Sequence, residues 1–297
     1  MRLLAVSLVF LVASCGDDDP SVAAEAGMDA EAPDAADATL DRAVSTSDSA
    51  PDAIVDTDQG DGSAGCLLSD DFENPATLAC WTQENVDFAR VEINNGRLQI
   101  RFRDGSPTQN GWFGDNVGPA LTQRVSGGFL AVLEVDAHRE GEPQLAPTQG
   151  FNSAGLLLRD PASTSPVGQN WVMWNTGRQG SSNCDRGETR VAVGSEGKTT
   201  VNSRSTLCLD EGSHRGRLAL CRVGPSVRLL RKLEGDATWT EYHAYERPDF
   251  PQEMDLGVLA NGWARPPDLH AEFESIRITA VTSLAECSAE TLEASEP

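Results

Sequence analysis

The side chains able to do chemistry fall into three groups: cysteines, tryptophans in turn-rich loops, and acidic and imidazole groups on β-like runs. Sugar rings present apolar C–H faces that stack on indole and phenyl rings, so exposed loop aromatics are the first binding candidates. Trp112-Phe113 sits in Asn110-Gly111-Trp112-Phe113-Gly114-Asp115-Asn116, and Trp263 in Asn261-Gly262-Trp263-Ala264-Arg265-Pro266-Pro267. Trp171 and Trp174 would point to opposite faces of one strand, and Trp174 is the candidate for a groove. Trp81 and Trp239 read as core. The four histidines, His138, His214, His243 and His270, have no metal-ligand spacing. No Gly-x-Ser-x-Gly or His-Glu-x-x-His signature is present.

The elements that must hold these groups are strands. Beyond Cys66 the sequence is a succession of short alternating runs separated by Gly, Pro, Asn, Asp and Ser, the pattern of an antiparallel sandwich. Strands are expected at 68–73, 87–93, 97–102, 120–125, 129–137, 154–159, 170–175, 190–193, 217–223, 227–233, 238–243, 255–260 and 271–278. Asn94-Asn95-Gly96 is a hairpin turn, because its residues tolerate positive φ. Phe129, Ala131, Leu133, Val135 and Ala137 alternate with more polar neighbours, which gives that strand one core face. Arg217 and Arg222 would lie along sandwich edges.

The N-terminus is built differently. Met1-Arg2 is followed by an apolar run, Leu3 to Ala13, of about 11 residues, long enough for a signal-peptide core and too short to span a bilayer. Val12-Ala13-Ser14-Cys15 resembles the lipobox of bacterial lipoproteins, which implies a lipid on Cys15 after removal of residues 1–14. From Gly16 to Gly65 there is one basic residue, Arg42, and no aromatic. Such a segment cannot offset its ordering entropy and reads as a disordered acidic tether, 15–65. Its Asp56-Thr57-Asp58-Gln59-Gly60-Asp61-Gly62 does not keep the register of an EF-hand loop. The remaining 66–287 forms one domain and 288–297 a disordered tail. The net charge of −23 argues against nucleic acid as a partner.

Ser69-Asp70-Asp71-Phe72-Glu73 with Trp81, Ala154-Gly155-Leu156-Leu157-Leu158-Arg159-Asp160, Asn170-Trp171-Val172, Arg217-Leu218-Ala219-Leu220-Cys221-Arg222-Val223-Gly224, Leu256-Gly257-Val258-Leu259-Ala260 and Phe273-Glu274-Ser275-Ile276-Arg277-Ile278 come in a telling order. That order resembles concanavalin A-like (laminin-G-like) domains appended to bacterial glycoside hydrolases, over about Ser69 to Ile278. It implies an all-β, concanavalin A-like jelly roll of two antiparallel sheets. It also implies a sugar-binding face and a structural calcium near the first and last strands, at Asp70, Asp71, Glu73 and Glu274. Solvated edge charges are the alternative reading of those four. The class includes laminarinase-type glycosidases with Glu-x-Asp-x-x-Glu on one strand, matched here at best by Glu134-Val135-Asp136-Ala137-His138-Arg139-Glu140. Retaining hydrolysis needs carboxyl groups about 5–5.5 Å apart. In an unbroken strand Glu134 and Glu140 would be about 20 Å apart. No catalytic residue is assigned.

Six cysteines besides Cys15 in an exported chain read as three disulfides. The resemblance makes neighbours of the strands beside Cys66 and Cys287, which would pair. Cys184 and Cys208 flank a polar hairpin and would pair, leaving Cys80 with Cys221. The functional expectation is a non-catalytic carbohydrate-binding or adhesive module, exported and lipid-anchored in the cell envelope, with a polysaccharide as partner. The alternatives are a laminarinase-type glycosidase and a structural envelope protein that binds another protein.

Overall fold

The computed structural model describes residues 66, 68–105, 118–163, 170–179, 182–183, 186–193, 198–205, 214–263 and 266–296, with the backbone alone from 179 to 205. Cys15, the tether, Trp112, Phe113, Cys184 and Cys208 lie outside what it describes.

Among the described residues fifteen strands form two antiparallel sheets, a jelly-roll β-sandwich. They are β1 (Thr82–Glu84), β2 (Ala89–Asn94), β3 (Arg97–Phe102), β4 (Ala120–Ser126), β5 (Phe129–Arg139), β6 (Asn152–Arg159), β7 (Asn170–Gln179), β8 (Ser182–Asn183), β9 (Arg186–Val193), β10 (Lys198–Ser205), β11 (Arg215–Val223), β12 (Ser226–Leu233), β13 (Thr240–Glu246), β14 (Glu253–Gly262) and β15 (Leu269–Ala280). One sheet runs β1-β4-β14-β6-β7-β9-β10, with β8 beside β7; the other runs β13-β12-β11-β5-β15-β3-β2.

The core between the sheets follows from period-two patterning. Phe129, Ala131, Leu133, Val135 and Ala137 of β5 face Leu156 and Leu158 of β6, Val172 and Trp174 of β7, and Leu256 and Val258 of β14 in one buried cluster. Asn95 and Gly96 adopt φ of 53° and 68°, and the hairpin of β2 and β3 closes there.

Several expectations fail for non-local reasons. Residues 68–73 give one bridge, Asp70 to Ile276, and not a strand. Phe72 turns out of line with φ 54°, its N–H donating to Asp70 Oδ1 while the Trp81 indole donates to Oδ2 at 3.0 Å. The disulfides among the described residues are Cys66–Cys80 and Cys221–Cys287. The expected Cys66–Cys287 and Cys80–Cys221 pairs are therefore exchanged. Cys66 is stapled to the 3₁₀ turn at Pro75–Cys80, and β11 to the segment after β15. The tail is not wholly without structure: helix α1 (Ala289–Ala294) buries Leu292 against Ala219, Leu230 and Trp239 on the outer side of the seven-stranded sheet.

Candidate functional site

The outer face of the β1-to-β10 sheet combines an apolar floor, a polar row and an aromatic lip. Ala120, Leu157, Trp171, Met173 and Leu259 make the floor, and all five are buried. Register places Asn175 and Leu259 on either side of Gly155, and Asn261 opposite Ser153. There Asn175 Nδ2 donates to Ser153 Oγ at 2.8 Å and Asn261 Nδ2 to the same oxygen at 3.4 Å. At the other end of the floor Arg159 pairs with Glu84, Asp255 stands 3.5 Å from Arg159, and Arg124 Nε donates to Asp255 at 2.8 Å.

The lip lies where β6 begins and β14 ends. Phe151 is 36% exposed and holds φ of 55°, a conformation that costs a non-glycine residue of order 1 kcal/mol or more. Its carbonyl accepts from Trp263 N–H at 3.3 Å, tying the two aromatic residues together by backbone. Gly262 lies beside them, and a Cβ there would come within 2.8 Å of the Phe102 ring tip and displace it. Trp263 is half-buried, an intermediate position that leaves part of its surface available.

Trp174 is not a groove residue. It is fully buried between the sheets, donates its indole N–H to Leu230 O at 2.7 Å and packs on Tyr242. Its strand-mate Trp171 faces the other way, into the floor. Strand parity foresaw the opposition, but which ring meets the core depends on which sheet face turns inward.

The outer face of the opposite sheet is ionic. Arg97, Glu134, Asp136, Arg215, Arg217 and Glu272 are among the residues lining a cavity of about 370 Å³. Arg97 bonds Glu272 at 3.0 Å and Glu274 at 3.2 Å. Burial, reinforced by the charge on Glu274, pushes the Glu134 carboxyl above its ordinary range. Strand β5 pairs with β11 without interruption, and the one-residue bulge falls on the neighbouring β15 at Glu274. Glu134 and Glu140 are therefore not brought together; Glu140 lies beyond β5, 3.6 Å from Arg101. A catalytic pair of the laminarinase spacing is not formed by these two.

Three of the four histidines converge on this face, which their sequence spacing concealed. Arg101 Nε donates to His270 Nε2 at 3.0 Å, so the His270 proton resides on Nδ1 and points to His138 Nε2, also 3.0 Å away. His138 Nδ1 lies 3.3 Å from Asp136 Oδ1, and His214 Nε2 stands 3.8 Å from the same oxygen. His138, His270 and Glu272 lie close enough for three metal ligands. However, Arg101 on His270 and Arg97 on Glu272 fill the region with positive charge. Burial, with His138 and Arg101 nearby, pushes His270 down to about 3. Burial also lowers His214.

The four carboxylates named for calcium point to different tasks. Asp70 serves Phe72 and Trp81, Asp71 accepts from Glu73 N–H, Glu73 lies against Gly96, and Glu274 pairs with Arg97. Arg217 bonds Glu296 of the C-terminal segment. Arg222, read as an edge residue, is buried.

No family profile matches the chain, and no characterised protein matches it in sequence. Solved structures do match in shape. A functionally unknown protein from Saccharomyces cerevisiae aligns over 69% of this chain and 99% of its own, with 14% identity and a TM-score of 0.51. A GH43 protein from Bacillus licheniformis aligns over 72% of this chain and 39% of its own at 13% identity, TM-score 0.52. A xylan β-1,4-xylosidase from Bacillus halodurans gives 72%, 39% and 13%, TM-score 0.50. At these identities the likeness establishes the sandwich fold. The chain spans well under half the length of the two bacterial enzymes.

Proposed function

We propose that this chain is a carbohydrate-binding or adhesive module, without catalysis of its own, presented from the cell envelope by a lipid on Cys15. The observation that carries the reading is Phe151. A large apolar ring is left exposed on a backbone held in the left-handed region, next to Trp263 and two residues before Ser153. Strain of this kind persists where surrounding structure over-determines it, and it clusters at ligand-binding positions. An exposed aromatic face suits the apolar C–H surface of a sugar ring.

The test is binding of the full chain to a glycan array, followed by calorimetry on the best ligand. Phe151→Ala and Trp263→Ala should each weaken binding by about 1 kcal/mol, roughly a fivefold rise in Kd, with unchanged melting temperature. Unaltered binding in both variants would move the ligand elsewhere. Failure to bind any glycan would leave a protein partner as the reading. The anchor has its own test: a palmitate analogue should label the wild type in cells and leave Cys15→Ser unlabelled.

A second reading is favoured by one observation, the raised carboxyl of Glu134 in an open cavity, since displaced acidities mark catalytic acids. A hydrolase would lose turnover by orders of magnitude in Glu134→Gln and keep its binding. The proposed module would release no reducing ends in either form.

A further inference from the structure

We infer that the end of the sandwich opposite the aromatic lip holds an oxyanion site built around Arg222. This site stands apart from the glycan reading, since the two lie at opposite ends of β14, about 30 Å of strand.

Arg222 is 5% exposed, and among the described residues no carboxylate pairs with it. Its donors are met by uncharged carbonyls: Nε by Gly224 O at 3.1 Å, Nη1 by Gln252 O at 3.4 Å, and Nη2 by Pro251 O at 2.6 Å and Phe250 O at 3.4 Å. Burial alone pushes the Arg222 guanidinium below its ordinary pKa, with no anion to restore it. A second guanidinium, Arg247, lies 3.9 Å from the centroid of the Phe250 ring, with Arg222 at 5.8 Å. Asp249 bonds Arg247 at 2.9 Å and is held ionised by it. Asp249 thus serves Arg247, and among the described residues the Arg222 charge is met by carbonyls and one ring face alone. Buried charges are ordinarily paired, because desolvation is otherwise uncompensated.

The uncompensated charge has access to solvent. Arg222 and Arg247 line a cavity of about 510 Å³ with Gly127, Gly224, Pro225 and Gln252. Beside Gly127 and Gly224 there is open space where a side chain would start. Arg222 has five N–H donors, and four bonds to carbonyls leave one Nη1 N–H for a ligand. The chemistry that fits is a small planar or tetrahedral oxyanion, a carboxylate, sulfate ester or phosphate, which a guanidinium recognises through charge-assisted bonds.

The test uses the full chain in sodium chloride, with inorganic sulfate, inorganic phosphate or glucuronate substituted at constant ionic strength. Thermal unfolding and titration calorimetry are the readouts. At least one oxyanion should raise the Tm by a few degrees and bind with 1:1 stoichiometry; which one responds separates the mineral from the sugar-acid source. Arg222→Gln should lose the response, but it also loosens a clasp on three carbonyls of residues 250–252. Gln252→Glu is therefore the deciding variant. It places a carboxylate on the cavity rim and should weaken oxyanion binding at least tenfold, with the Tm in chloride kept or raised. Equal behaviour of sulfate, phosphate, glucuronate and chloride in the wild type overturns the inference. So does an undiminished oxyanion response in Gln252→Glu.

Discussion

The two outward faces of this sandwich have the same backbone and opposite chemistry. The face of the β1-to-β10 sheet is apolar at its centre, with amide and hydroxyl groups beside it and aromatic residues at one end. The face of the β5-containing sheet carries acid, base and imidazole over β3, β15 and the end of β5, from Arg97 and Gln99 to Glu272 and His138. It becomes apolar at Ala219 and Leu230, where α1 covers it. Both faces start from the same alternation, in which one side of each strand joins the common core. Local pattern therefore determines that a second face exists, and only packing determines what that face is for. Where a strand is apolar on both sides, as at Leu156-Leu157-Leu158, the outer side must also be buried, and β6 is buried along its length.

The contrast can be broken at its apolar side first. Trp171→Ala should cost about 3–5 kcal/mol, measured by urea unfolding, because a fully buried indole is removed from a packed cluster. A cost under about 1 kcal/mol would mean that the floor is solvent-accessible and the two faces differ less than their composition suggests.

Disulfides hold the two faces unequally. The Cys221–Cys287 bridge closes a separation of 66 residues and should contribute about 4 kcal/mol by chain entropy; Cys66–Cys80 closes 14 residues and should contribute about 3 kcal/mol. Peptide mapping without reduction should recover these pairs. Recovery of a Cys66–Cys287 peptide would restore the pairing expected from sequence.

The ionic face should reveal itself in acid. His270 is held near 3 in the fold and titrates near 6.5 when unfolded, so the unfolded chain binds the extra proton between those values. Stability from this group is complete above about pH 6.5 and is lost as pH falls toward 3, on the order of 3 kcal/mol by pH 4. His270→Gln should flatten the difference in unfolding free energy between pH 7 and pH 4 by that amount, whatever its effect at pH 7. An unchanged slope would mean that His270 is solvated, and that its bonds to Arg101 and His138 do not persist in solution.

Legibility in the sequence tracks how local each cause is. The hairpin at Asn95-Gly96 and the alternation of β5 were plain because turn chemistry and period-two patterning act within a few residues. The jelly-roll order was legible through a sequence of weak motifs. The histidine cluster was not, because positions 138, 214 and 270 meet only after β5 pairs with both β11 and β15. Helix α1 was missed for a similar reason. Six residues make no stable helix alone, and this one depends on Leu292 docking, the Ser288 cap and the Cys287 staple. At the candidate site, Trp263 was visible as a loop aromatic. Phe151 carried one signal that could have found it, an aromatic between Gly150 and Asn152 where a turn had to precede a strand.

The smallest expected effect sharpens the difference between a binding face and a catalytic one. Glu134 is half-buried, and its raised carboxyl means that the fold favours the protonated form. The sign of the pH dependence is therefore opposite to that of His270. The folded protein binds the extra proton just above the ordinary carboxyl range, so stability falls as pH rises through that window. Near neutral pH the charged Glu134 is a small burden, shared with Glu274 and reduced by solvent reaching the cavity. Glu134→Gln keeps the shape and removes the charge, so it should stabilise the chain by less than about 1 kcal/mol at pH 7 and leave stability near pH 4 unchanged. Paired denaturant curves at the two pH values measure this directly. A stabilised variant with intact glycan binding fits a carboxylate left over from packing an ionic sheet face. A stabilised variant that also loses release of reducing ends would identify Glu134 as strained for catalysis, and the two faces of the sandwich would then exchange roles.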